Sequence, residues 1–181
     1  LSANSGAAET ETDIAAYLLC VHPVTNARFQ RFVDAGGYDE LDCWPEEMWP
    51  HLIEFKDQTG QPGPRFWRNG RHEASKSDHP VVGVSWFGAV KYCNWLTLHT
   101  GMNPEDRIYQ EADSANLSGW HPITISDFNW ANRDLNEFER TTLLGRRGFR
   151  LPMDGGDDGT NPGPFNEWFT AAAWHPQTLS E

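Results

Sequence analysis

A chain of 181 residues is the size of one domain and can bury roughly 70% of its unfolded surface in a single core. With Lys+Arg 14 against Asp+Glu 26 the net charge is −12, a field that repels phosphate backbones and anionic lipid, and no apolar run approaches the ~20 residues of a membrane helix. Composition therefore argues against nucleic-acid binding and membrane spanning, while nine Trp and ten Phe supply a core and sixteen Gly and twelve Pro consign much of the chain to loops.

Residues 1–13 read as a flexible polar leader with neither the basic start nor the apolar centre of a signal peptide, and 14–181 as a single domain. A start on Leu1 fits either the end left by removal of such a peptide or an arbitrary boundary of the sequence, and an exported protein is the expectation. Ile14 to Val21 reads as a strand. Thr25 is placed to cap a helix whose Phe29, Phe32 and Val33 share one face, with Gly36 and Gly37 ending it. Trp44 and Trp49 fall in a short turn between prolines, where they either line a pocket or pack on that helix. Residues 57–64 form a Gly/Pro-rich connection, and Arg65 to Arg71 reads as a strand entering a turn.

Val81, Val82 and Val84 then form a β-branched strand, Ser85 an N-cap, and the period changes from two to about 3.6 residues. Trp86, Ala89, Val90, Cys93, Leu96 and Trp95 make one buried stripe, and Gly101 the stop. Residues 102–147 read as an insertion that packs on the body through Trp120, Phe128 and Trp130. Asn116-Leu117-Ser118 is a glycosylation sequon, meaningful only in a eukaryotic secretory route. After Pro152 comes an acidic loop, 153–163, and a helix from Pro164 that carries Glu167 and Trp168.

Three of these segments, in order, carry a resemblance. Val24-Thr25-Asn26-Ala27-Arg28-Phe29 leading to Gly36-Gly37-Tyr38, then His79-Pro80-Val81-Val82-Gly83-Val84-Ser85-Trp86 with Tyr92-Cys93-Asn94-Trp95, then Gly148-Phe149-Arg150-Leu151-Pro152, resemble signatures of the formylglycine-generating enzyme (sulfatase-modifying factor) family. The resemblance covers residues 14–101 and 146–176. It implies an α+β, C-type-lectin-like fold, loop-rich, with short strands and two main helices, of which this chain holds the N-terminal portion. It also implies copper-dependent oxidation in the enzymes of the family, where two cysteine thiolates beyond the Glu-Trp helix hold Cu(I), an ion that soft ligands suit.

Cys20, Cys43 and Cys93 match neither of those positions, so no catalytic or cofactor-binding residue is carried over. Cys93 reads as an inert core thiol, with a disulfide between two of the three as the alternative. Asp154, Asp157 and Asp158 could offer oxygen ligands to Ca²⁺ but lack EF-hand spacing, and a solvated acidic loop is the plainer reading. His22, His79, His121 and His175 each precede Pro, without a paired-ligand spacing. The two arginine clusters, 65/68/71 and 146/147/150, are expected to pair with the surplus carboxylates.

The expectation is a non-catalytic domain that binds a ligand or serves as a subunit, with Trp44, Trp49, Trp120 and Trp130 as its surface. A protein partner or continuation chain packs on the C-terminal side, and copper or calcium enters only if the missing half of the domain is supplied. The alternative is the N-terminal part of a copper oxidase whose catalytic cysteines lie on another segment.

Overall fold

In the computed structural model, residues 17–37, 56–61, 63–111, 121–122 and 137–153, with Glu167 and Ala171, are described. They include three α-helices, α1 (Asn26–Asp34), α2 (Trp86–His99) and α3 (Glu137–Leu144), two short 3-10 turns, helical Glu167 and Ala171, and one antiparallel pair, β1 (Tyr109–Gln110) with β2 (His121–Pro122). The content is mixed, with little strand.

Local chemistry sets both main helices. Thr25 and Ser85 accept from the amides of Arg28 and Gly88, as N-caps do. Each helix closes in the same way. Gly36 (φ 87°) donates to Val33 O while Gly37 donates to Phe32 O, and Gly101 (φ 84°) donates to Leu98 O while Met102 donates to Thr97 O. This is the paired 6→1 and 5→2 closure that needs a left-handed residue after the cap.

The two helices meet through aromatic rings. Phe29 stacks on Tyr92 at 5.1 Å between centroids, and Phe32 meets Tyr92 edge-on at 5.6 Å. With Trp67 they form a buried cluster that Val24, Val81, Val84, Trp95 and Leu96 surround. A second cluster, Val90, Cys93, Ile108, Tyr109 and Leu143, lies on another flank of α2, covered by Phe149, Leu151 and Met153. The described part of 102–147 thus packs on the body.

Helix α2 therefore departs from the single stripe expected of it. Gly88, Val90, Lys91, Tyr92, Cys93, Asn94 and Thr97 are all buried, whereas Trp86 is 38% exposed. A helix wedged between two clusters is covered on more than one side, so its apolar residues need not keep to one stripe.

The expected strands are largely irregular. Tyr17–Val21 has no ladder partner among the described residues and leaves Leu18 and Val21 exposed. Residues 81–84 contribute only a Val81 N to Val24 O bond beside the Thr25–Pro80 bridge, because Gly83 at φ 73° breaks the extension. Between Arg68 and Arg71, which bridge, Asn69 (φ 54°) and Gly70 (φ 67°) make the expected tight turn, but the residues that enter it form no strand.

Asp57 anchors that turn. Its carboxylate accepts from Thr59 N and Oγ1, Gln61 N and Gly70 N, all at 2.7–3.0 Å. Burial alone would raise its pKa, but these bonds outweigh it and hold the carboxyl below its ordinary value. A folded pKa below the unfolded one gives stability that is present above about pH 4 and lost as pH falls through the folded value. Asp57→Asn should thus lower stability at pH 7 but flatten its decline below about pH 4, read from urea midpoints across the pH series.

Candidate functional site

The segment after α3 is laid against α2 by alternation. Phe149 N donates to Thr97 Oγ1 at 3.0 Å and Leu151 N to the Tyr109 hydroxyl at 3.0 Å. Phe149, Leu151 and Met153 cover the second apolar cluster. Gly148 must lack a side chain there, since a Cβ would collide with the Asp106 carbonyl.

Arg150, between Phe149 and Leu151, meets Glu167. The pair is bidentate, at 2.5 Å and 2.6 Å, with side chains only 15% and 3% exposed. Glu167 Oε2 also accepts from Met153 N at 2.8 Å, Glu167 N donates to Met153 O at 3.0 Å, and the Tyr17 hydroxyl donates to Glu167 O at 2.6 Å. Residues 17, 150 and 153 are thereby gathered around the buried Glu167. Burial would lower the Arg150 pKa, but the hydrogen bond and charge of Glu167 raise it above the ordinary value. For Tyr17, burial and then the Glu167 charge push the phenol up.

A second polar group lies beside β1. Asn94 Nδ2 donates to Tyr109 O at 2.8 Å and to Glu111 Oε1 at 2.9 Å, while Tyr109 N donates to Asn94 Oδ1 at 3.3 Å. An amide side chain thus pairs with β1 as a neighbouring strand would. Lys91 Nζ lies 3.9 Å from Glu111 Oε2, with the lysine side chain 8% exposed. Sequence reading gave Lys91 and Asn94 no role of their own. Their signal was two polar residues three apart inside an apolar helix.

The tryptophans expected to form a binding surface, Trp44, Trp49, Trp120 and Trp130, lie outside the described residues, as do the calcium candidates Asp154, Asp157 and Asp158. The arginines only partly follow expectation. Arg71 pairs with Asp34 at 3.2 Å and Arg150 with Glu167. Arg146 instead donates to the carbonyls of Glu105 and Arg107, Arg68 to Gln58 Oε1, and Arg65 lies over the Phe66 ring.

Among the described residues no group of three or more His, Cys, Asp or Glu side chains could hold a metal. Cys20 is exposed and Cys93 buried, both as free thiols. Burial, with a smaller contribution from nearby Cys20, pushes the Cys93 thiol up to about 12. A neutral thiol set among Val90, Ile108, Tyr109 and Leu143 does not fit the thiolate pair that Cu(I) chemistry requires.

A family model described as sulfatase-modifying factor enzyme 1-like domain matches residues 2–155. Hercynine oxygenase of Mycobacterium tuberculosis is 30% identical over 122 residues, which are 63% of this chain and 26% of that protein. The serine/threonine-protein kinase Pkn1 of Chlamydia trachomatis is 38% identical over 82 residues, 44% of this chain and 12% of the kinase. Formylglycine-generating enzyme of Bos taurus is 30% identical over 100 residues, 45% of this chain and 27% of the enzyme. The chain spans about a quarter or less of the length of these relatives. No solved structure matches.

Removing one partner of a buried ion pair strands the other charge. Arg150→Met should therefore cost about 3–5 kcal/mol in denaturant unfolding, and a combined Arg150→Met/Glu167→Leu change less than Arg150→Met alone. In native protein, iodoacetamide should label Cys20 and leave Cys93 unmodified until urea unfolds the chain, as read by peptide mass mapping. Equal labelling of the two would contradict the buried, neutral state of Cys93.

Proposed function

The chain belongs to the sulfatase-modifying factor enzyme 1-like family, and from that membership we propose that these residues act as a C-type-lectin-like scaffold that binds a ligand or serves as a subunit of a protein assembly. The observation that carries this reading is the use made of the buried polar groups. Arg150, Glu167 and Asn94 are each engaged in bonds that join segments of the fold. Such groups serve as scaffold parts, whereas a reactive site would aim them at a reacting atom.

In this proposal Trp44, Trp49, Trp120 and Trp130 form the ligand-facing surface, because large amphipathic rings give contact area at low entropic cost. Asp154, Asp157 and Asp158 remain a calcium candidate within the loop that precedes Glu167. A protein partner or a continuation of the chain packs on the C-terminal side. Leu18 (103% exposed) and Val21 (90%) support this, since Tyr17 ties their segment to Glu167 near that side. Among the described residues no helix is long and apolar enough to cross a membrane.

A second reading has a specific observation in its favour: two of the relatives bear the names of enzymes, hercynine oxygenase and formylglycine-generating enzyme. Under it the chain is one part of an oxygen-using enzyme whose reactive groups stand on another segment.

Competitive Cu(I) titration and an oxygen electrode separate the two when applied to the native protein isolated with every segment and partner that accompanies these residues, since this chain alone is inactive under both readings. Given a cysteine-containing peptide, or hercynine, that native protein should consume oxygen no faster than buffer and bind Cu(I) no more tightly than when denatured. Stoichiometric tight Cu(I) binding with substrate-dependent oxygen uptake would replace the first reading by the second.

A further inference from the structure

Asn69-Gly70 is the one Asn-Gly pair in the chain. In such a pair the backbone nitrogen of the glycine can attack the asparagine carboxamide, because no Cβ on the glycine obstructs the approach. The two residues form the tip of the turn between Arg68 and Arg71, with the positive φ at both positions that a two-residue hairpin loop requires. Asn69 is exposed, so water and base reach its side chain. Dipeptide and exposure together mark a carboxamide that should readily lose ammonia.

The hydrogen bonds of the turn oppose that reaction. Gly70 N, the atom that would attack, donates to Asp57 Oδ2 at 2.7 Å, and Asp57 is 6% exposed. This bond fixes the peptide plane between Asn69 and Gly70. The groups on either side are held as well: Asn69 N donates to Thr59 Oγ1 at 2.8 Å, and Gly70 O accepts from Gln30 Nε2 at 2.9 Å. Arg68 and Arg71 exchange backbone bonds at 2.9 Å and 3.0 Å.

Charge adds to the geometry. A backbone nitrogen becomes nucleophilic only once its proton is gone, and here that proton lies between the nitrogen and a buried carboxylate. Its removal would leave an amidate against Asp57, two like charges where water hardly reaches. Asp57 cannot take the proton itself, since a carboxyl held below its ordinary value is far too weak a base for a backbone amide.

We propose that Asn69 is a deamidation site that the Asp57–Gly70 hydrogen bond keeps closed in the folded protein. Once that bond is lost, Gly70 N gives its proton to base in the solvent and forms a bond to Asn69 Cγ. The bond from Cγ to the side-chain nitrogen breaks, and that nitrogen takes up a proton and leaves as ammonia. Water then opens the succinimide to an aspartyl or isoaspartyl residue, so the net change is water in and ammonia out, with no oxidant or reductant. The isoaspartyl product adds a main-chain carbon and a negative charge to the two-residue turn, so the bridge between Arg68 and Arg71 cannot close as before. This modification is independent of the scaffold reading above.

Peptide mass mapping tests it on the full chain, incubated in mildly alkaline buffer either native or in urea. Cleavage after glutamate releases residues 55–73, where conversion at Asn69 is read by mass and by the separate elution of the isoaspartyl form. The native chain should convert at least about tenfold more slowly than the unfolded one. Asp57→Asn keeps an acceptor for Thr59 and Gln61 but turns an amide group toward Gly70 N, and should raise the native rate about tenfold. Native wild type that converts as fast as the unfolded chain, or a folded Asp57→Asn that converts no faster than wild type, overturns the proposal. If Asp57→Asn does not fold, hydrogen exchange of the Gly70 amide in the wild type decides. Exchange slowed by about tenfold or more against the unfolded chain supports the closed site, and unprotected exchange overturns it.

Discussion

Burial of α2 on more than one flank is the constraint from which the rest of the described structure follows. On one flank Tyr92, Trp95 and Leu96 face the rings of α1, and on another Val90 and Cys93 face Ile108, Tyr109 and Leu143. A helix so enclosed cannot present charged side chains freely to water, so its polar residues must find partners inside. Asn94 does so by pairing with the backbone of β1, and Thr97 by donating to Cys93 O and accepting from Phe149 N. Left without those partners, each buried group would cost about 1–3 kcal/mol.

The Arg150–Glu167 junction extends the same logic to the end of the described chain. Two charges taken out of water are tolerable only when geometry is good and the remaining lone pairs are used. Both conditions hold here, through the bidentate contact and the amide of Met153. The junction closes the excursion between Met153 and Glu167 and brings Tyr17 to the same place. Glu167 thus joins Arg150 through its carboxylate and Tyr17 through its carbonyl.

These polar contacts bear directly on function. A carboxylate that accepts from a guanidinium and an amide holds the fold together, and a thiol pushed up to about 12 by burial stays protonated at neutral pH. This chain is similar over part of its length to proteins named hercynine oxygenase and formylglycine-generating enzyme and to one named serine/threonine-protein kinase. A scaffold used under such different names is consistent with function residing in surfaces and added segments.

Much of this was legible in the residues themselves, for a local reason. Caps at Thr25 and Ser85, closures at Gly36 and Gly101, and the Phe29/Phe32 face depend on neighbours within a few positions, so the linear order of residues was sufficient to place both helices and the family signatures. The strands and the single stripe on α2 were misjudged because a β-branched run becomes a strand only if a partner lies alongside. Gly83 and the Asn69-Gly70 turn spend those stretches on close approach instead. Partners separated by 15 to 150 positions, such as Asn94 with Tyr109 and Tyr17 with Glu167, were set by the packed chain alone, because a contact across that distance has no periodicity to announce it.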